Sequence, residues 1–132
     1  MIDKVGAMVV RGGKVLVVQK KTKDDRKEYI ILGGKREGDE TDREVLEREL
    51  MEEIGVELIS MEPLGGYDDI AVFENIPIHI EAYLVEMEGE PRCDSEIKAL
   101  AWIDRDYEKQ GIEVGSILGK HVIPKLIEIG KM

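Results

Sequence analysis

Residues 33 to 56 read GGKREGDETDREVLERELMEEIGV, and the fold is decided by what this stretch must become. Thr41-Asp42-Arg43-Glu44 has the form of a capping box, in which the threonine hydroxyl and the glutamate carboxylate each satisfy a backbone N–H that a helix start leaves open. Gly55 stands where a left-handed C-terminal cap is wanted. The spacing therefore predicts a helix over Asp42 to Ile54. Leu46, Leu50 and Ile54 repeat every four residues, with Val45 and Met51 beside them, and form an apolar stripe for packing on a core. Glu49, Glu52 and Glu53 stand at i, i+3 and i+4, so their carboxylates share another face, within reach of a common point.

Three glutamates with no interleaved base repel one another, by a few tenths of a kcal/mol per pair even when solvated. A hard divalent cation that takes oxygen ligands, Mg²⁺ or alternatively Mn²⁺, removes that repulsion and gives the arrangement a reason. The bland alternative is an acidic helix that serves only to stay in water.

Counted from Gly34, the chain runs five residues to Glu40 and seven more to Arg48-Glu49-Leu50. One residue then separates Glu52-Glu53, and one more Gly55-Val56. With every fixed position filled, this resembles the complete Nudix box. The resemblance implies an α+β domain, an α/β/α sandwich with a mixed β-sheet in the Nudix fold. It implies hydrolysis of a pyrophosphate link in a nucleoside diphosphate joined to another moiety, a nucleoside triphosphate among them. It also implies roles: Gly34, Glu49, Glu52 and Glu53 hold the metal, Arg48 orients the carboxylate cluster, and Glu40 supports that cluster through contacts one layer out from the metal. The general base is Glu49, with Glu53 and Glu96 as alternatives, Glu96 because it precedes a strand containing Trp102 as a loop glutamate does in relatives. Leu32 departs from the proline that many relatives carry before the glycine pair. Ala71-Val72-Phe73, downstream of the box, matches neither the ADP-ribose nor the diadenosine-polyphosphate markers, and size favours a small MutT-like enzyme. A catalytically silent Nudix-type module that binds or senses a nucleotide is the second reading, because a fold can outlast its chemistry.

The rest of the chain agrees with one domain over residues 1–132. A chain of 132 residues can bury about two thirds of its unfolded surface and needs no staples. One cysteine, Cys93, excludes an intrachain disulfide. No apolar run approaches the roughly 20 residues that span a bilayer, and MIDKVGAMVV is unlike a secretory leader, so a cytoplasmic monomer or homodimer is expected. The net charge of −10 argues against a broad nucleic-acid surface, since a phosphate backbone calls for clustered Lys and Arg. It leaves room for a small phosphorylated substrate bridged by metal. With 36% charged residues, one Asn and two Gln, the composition resembles thermophile usage.

In chain order, Val5 to Arg11 and Val15 to Gln19 read as paired antiparallel strands around Gly12-Gly13. Lys20 to Glu28 is a charged loop, either a phosphate contact or simply solvated. Tyr29 to Leu32 is a short strand leading to Gly33-Gly34, where glycine permits close approach to a ligand or a plain turn. Val56 to Leu64 is a strand ending in a bend or bulge at Gly65-Gly66, and Ile76 to Val85 alternates as another, with Pro77 at its start. His79 is read as structural, with no zinc spacing around it. After a strand over Ala99 to Asp104, Ser116 caps a helical stretch that Pro124 breaks, leaving a terminal helix from about Pro124.

Overall fold

The computed structural model describes residues 1–23, 25–70 and 75–132; Ala71-Val72-Phe73 and Asp24 of the charged loop lie outside the described residues. The chain forms β1 (Ile2–Met8), β2 (Val10–Arg11), β3 (Lys14–Lys20), β4 (Leu32–Lys35), α1 (Asp42–Ile54), β5 (Glu57–Ile70), β6 (Pro77–Glu88), β7 (Ile97–Ile103), a π turn (Leu118–Val122) and α2 (Ile123–Glu128). Two sheets result, a mixed one in the order β4-β1-β6-β5 and an antiparallel one in the order β2-β3-β7.

The helix α1 has the ends that its sequence dictates. Thr41 accepts from the Glu44 N–H, the Glu44 side chain returns the bond to the Thr41 N–H, and Gly55 closes the helix at φ 67°. Val45, Leu46, Leu50 and Ile54 are fully buried. They pack with Val5, Ala7, Leu32, Val85 and Met87 on one side of the mixed sheet. On its other side Ile2, Met8, Ile78, Ile80 and Ala82 pack with Leu118, Val122, Ile123 and Leu126. Alternation along β6 accounts for both layers: residues 78, 80 and 82 serve the core at the C-terminal helix, while 85 and 87 serve the core at α1.

The antiparallel pairing expected of Val5 to Arg11 with Val15 to Gln19 is reduced to the two rungs Val10↔Val15 and Arg11↔Lys14. The chain changes sheet at Val9, and β1 pairs instead with β4 (antiparallel) and β6 (parallel). A local turn decides only the rungs beside it; the burial of β1 on both faces decides the remainder. Gly33 and Gly34 lie inside β4 opposite Gly6 and Val5, not in a turn after a strand, while Tyr29 and Ile30 make only isolated bridges. The strand β5 continues through Gly65-Gly66 to Ile70, with register shifts at Leu58/Ser60 and Pro63/Gly65, the second being the expected bulge.

Pro124 does not interrupt the C-terminal helix. The turn before it widens, with the Ile123 N–H bonded to Leu118 O, and α2 begins with the proline in its first turn. A π turn is one way for a helix to accommodate a missing N–H. Among the described residues no helix is long and apolar enough to cross a membrane.

Candidate active site

The positions 46, 50 and 53 are i, i+4 and i+7 on α1, so Glu53 belongs to the edge of the apolar stripe as well as to the acidic face. It is only 5% exposed, the one buried charged side chain among the described residues. Its Oε1 accepts from the Gly33 N–H at 3.0 Å and its Oε2 lies 3.6 Å from Lys20 Nζ. Burial pushes its carboxyl up to about 7; Lys20 and the Gly33 N–H pull the other way, and the negative charge of Glu49 adds to the rise.

Glu49 and Glu52 have other surroundings. Glu49 accepts from Arg48 Nη1 at 2.8 Å and lies over Gly34, where a Cβ would come within 2.4 Å of its Oε1. Glu52 is 54% exposed and stands 3.6 Å from the same Arg48 Nη1. The three share a helix face as expected, but Glu49 and Glu52 turn to Arg48 while Glu53 turns to Gly33 and Lys20. Among the described residues no three His, Cys, Asp or Glu side chains converge as a ready metal cage.

Arg48 is the hub. Its Nε and Nη2 take both oxygens of Glu40 at 2.8 Å, and its Nη2 also donates to Lys35 O at 3.1 Å. Arg48 bonding, with a backbone bond from Glu37, holds the Glu40 carboxyl down to about 2. A fork on a carboxylate of this kind fixes direction as well as charge. The structure thus brings together Gly34, Glu40, Arg48, Glu49 and Glu53, with Glu52 at the rim.

Glu96 is exposed on the loop after β6. Its carbonyl accepts from the Lys21 N–H at 2.8 Å, and Arg92 and Asp94 donate to Ile54 O and Glu53 O, so this loop is fastened to the end of α1. No hydrogen bond joins its carboxylate to Glu49, Glu52 or Glu53 among the described residues. Lys20, at the end of β3 and not free in the charged loop, is the side chain that sequence reading left undistinguished. Nothing local separates it from Lys21 or Lys23; its place in β3 sets it against Glu53.

Beside Gly33, Gly34 and Lys20 opens a cavity of about 240 Å³ walled by Ile78, Ile80, Val114 and Ile117. His79 stands away from this machinery, held by Glu81 at 2.6 Å and Asp68 at 2.8 Å, which raise its pKa. Trp102 packs against the α1 core, with Arg11 5.5 Å above its ring.

A hard divalent cation fits these donors. Glu49, Glu52 and Glu53 present carboxylate oxygens from one helix face, burial leaves the Glu53 carboxylate poorly solvated, and the bare Cα of Gly34 leaves room for the Glu49 carboxylate.

Comparison with known proteins agrees with this geometry. The NUDIX domain model matches residues 2–112. The CTP pyrophosphohydrolase of Escherichia coli is 43% identical over 58 residues, 43% of this chain and 43% of that enzyme's length, so this match spans less than half of either. A Mycobacterium tuberculosis protein assigned by name as 8-oxo-dGTP diphosphatase 2 is 36% identical over 104 residues, covering 75% of this chain and 70% of that one. The solution structure of the E. coli ORF135 protein superimposes with a TM-score of 0.74 at 30% identity, covering 98% of this chain and 88% of the other. With its box residues on α1 and β4 and the family model spanning most of its length, the chain belongs to the Nudix hydrolase family.

Proposed function

We propose that this protein hydrolyses the pyrophosphate link of a nucleoside triphosphate or related nucleoside diphosphate derivative, by attack of water on phosphorus with Mg²⁺ as cofactor. One observation carries the reading: the buried Glu53, with Glu49 beside it, faces Lys20 at the edge of a cavity whose lining is mainly aliphatic, with Lys4, Glu28 and Ser116 among it. A polyphosphate fits across that edge, with its charged end at the carboxylates and Lys20 and its remaining moiety in the cavity. The names borne by relatives, CTP pyrophosphohydrolase and 8-oxo-dGTP diphosphatase, support a nucleotide as the substrate class.

Glu49, Glu52 and Glu53, with the backbone at Gly34, would hold the cation. When bound it neutralises phosphate oxygens and lowers the pKa of water. Arg48 keeps Glu49 aimed by gripping Glu40 with the other edge of its guanidinium. Lys20 supplies a positive charge for a phosphate oxygen. Base duty falls to a box glutamate at the reacting water, Glu49 or Glu53, because Glu96 is exposed and its loop meets α1 through the backbone N–H groups of Arg92 and Asp94. The reading takes residues 1–132 as one catalytic domain working in the cytoplasm as a monomer or homodimer.

A panel of nucleoside di- and triphosphates and their derivatives, followed by phosphate and pyrophosphate release in ¹⁸O-labelled water, tests this reading. Metal-dependent turnover with label on one product phosphate is expected. Nucleotide binding with no turnover of any panel member would favour the silent, sensing module.

A further inference from the structure

Ser116 lines the cavity from the C-terminal segment, and its hydroxyl donates to Asp69 Oδ2 at 2.6 Å. Asp69 lies on β5 opposite Ile78, itself part of the cavity wall. The carboxylate is engaged on both oxygens: Oδ1 accepts from the Ile70 N–H at 2.8 Å, and His121 Nε2 stands 3.9 Å from Oδ2 with Tyr67 stacked on the imidazole at 5.6 Å. The bond from Ser116 leads the causes that hold the Asp69 carboxyl below its ordinary range, so it remains an acceptor.

A serine hydroxyl has one proton and two lone pairs. With the proton committed to Asp69, Ser116 offers the cavity an acceptor only. The walls beside it at Ile78, Ile80, Val114 and Ile117 are aliphatic, while the charged side chains of the lining are Lys4, Lys20 and Glu28; of the uncharged side chains around the cavity, Ser116 is the one that can hydrogen-bond. We propose that the Ser116–Asp69 pair makes this pocket select a base that presents an exocyclic amino group to Ser116 over the counterpart that carries an oxo group at that position. This rests on the proposed hydrolase reading, in which the cavity receives the part of the substrate beyond the phosphates. An oxo group set against a hydroxyl that cannot donate leaves both acceptors unpaired in a confined site, whereas an amino group satisfies Ser116.

The polarity is reversible by one atom. In Asp69→Asn the amide oxygen retains the Ile70 N–H, the amide nitrogen donates to Ser116, and the serine proton is released to the cavity. The oxo member of each pair then becomes the preferred one.

The test is equilibrium binding by calorimetry of the product-type nucleotides CMP against UMP and AMP against IMP, for the unaltered protein, Asp69→Asn and Ser116→Ala, with thermal melts confirming that each variant is folded. The amino member is expected to bind at least about tenfold more tightly to the unaltered protein. That preference should reverse in Asp69→Asn and shrink to about unity in Ser116→Ala, which stands alone as the test if Asp69→Asn does not fold. Affinities within about twofold for both pairs, no binding of either member, or an unchanged preference in the folded variants would overturn the proposal. Mg²⁺-dependent nucleotide hydrolysis alongside equal binding within the pairs defeats this inference alone. An absence of any hydrolysis defeats the hydrolase reading, and the binding ratios still decide this one.

Discussion

The Gly33 N–H donates to Glu53 Oε1 at 3.0 Å, joining the glycine strand to the last turn of α1 across 20 residues of sequence. This bond sets the direction of the buried carboxylate and explains why Glu53 differs from Glu52, its immediate neighbour, which points to solvent.

Glu53→Gln should therefore separate catalysis from folding. The amide oxygen can retain the Gly33 bond, so the metal-free protein should be as stable as the parent or more so, while metal affinity weakens and turnover falls by orders of magnitude. Leu50→Ala, in the fully buried stripe of the same helix, should cost about 2–5 kcal/mol and leave the carboxylates in place in the molecules that stay folded. Thermal melts with and without Mg²⁺, together with initial rates at saturating metal, distinguish the two. Near-parental rates in Glu53→Gln would refute its role.

Stability should depend on pH in a sense opposite to that of most acidic proteins. The Glu53 carboxyl titrates near 7 in the folded chain against 4.5 ordinarily, so the folded state binds the extra proton between those values. That contribution is fully present below about 4.5 and is lost as pH rises through 7, on the order of 3 kcal/mol in total. Glu40, held at about 2 by Arg48, acts inversely: its contribution is present above its ordinary 4.5 and is lost as pH falls toward 2. Melts in chelator should thus give maximal stability near about pH 5, and Glu53→Gln should flatten the fall between about pH 5 and 8. An unchanged slope in that variant would exclude Glu53 as its source.

The two glycines of β4 should respond differently to alanine. At Gly33 the added Cβ would lie 2.1 Å from Val5 O at a φ of 124°, which opposes rigid backbone to a strained conformation, so Gly33→Ala should unfold or severely destabilise the protein. At Gly34 the collision is with the Glu49 carboxylate, the end of a flexible side chain. Gly34→Ala should melt within a few degrees of the parent, yet lose at least about tenfold in activity because Glu49 is displaced. Equal melting losses in both variants would contradict this.

Arg48→Lys keeps the charge but cannot grip both Glu40 oxygens and Glu49 together. Its turnover should fall substantially more than its affinity for metal, since the carboxylates remain and only their aim is lost. A variant with full activity would show that the fork is dispensable.

The helix from Asp42 to Ile54, its caps, its apolar stripe and the shared face of the three glutamates were legible in the amino-acid sequence. Each is a relation between residues within about a turn or two of one another, and helix geometry converts such spacing directly into position. The family pattern was legible for the same reason, since it lies in one contiguous stretch. Helical spacing put Glu53 at the edge of the apolar stripe, but its partners were decided by tertiary structure, because Gly33 and Lys20 arrive from other strands. It also decided that β1 leaves β3 for β4 and β6, since a turn specifies its nearest rungs while burial on two faces specifies the sheet. The Ser116–Asp69 bond, spanning 47 residues, was equally beyond the sequence: no local spacing reports a contact that exists only once β5 and the C-terminal helical segment have packed on the same core.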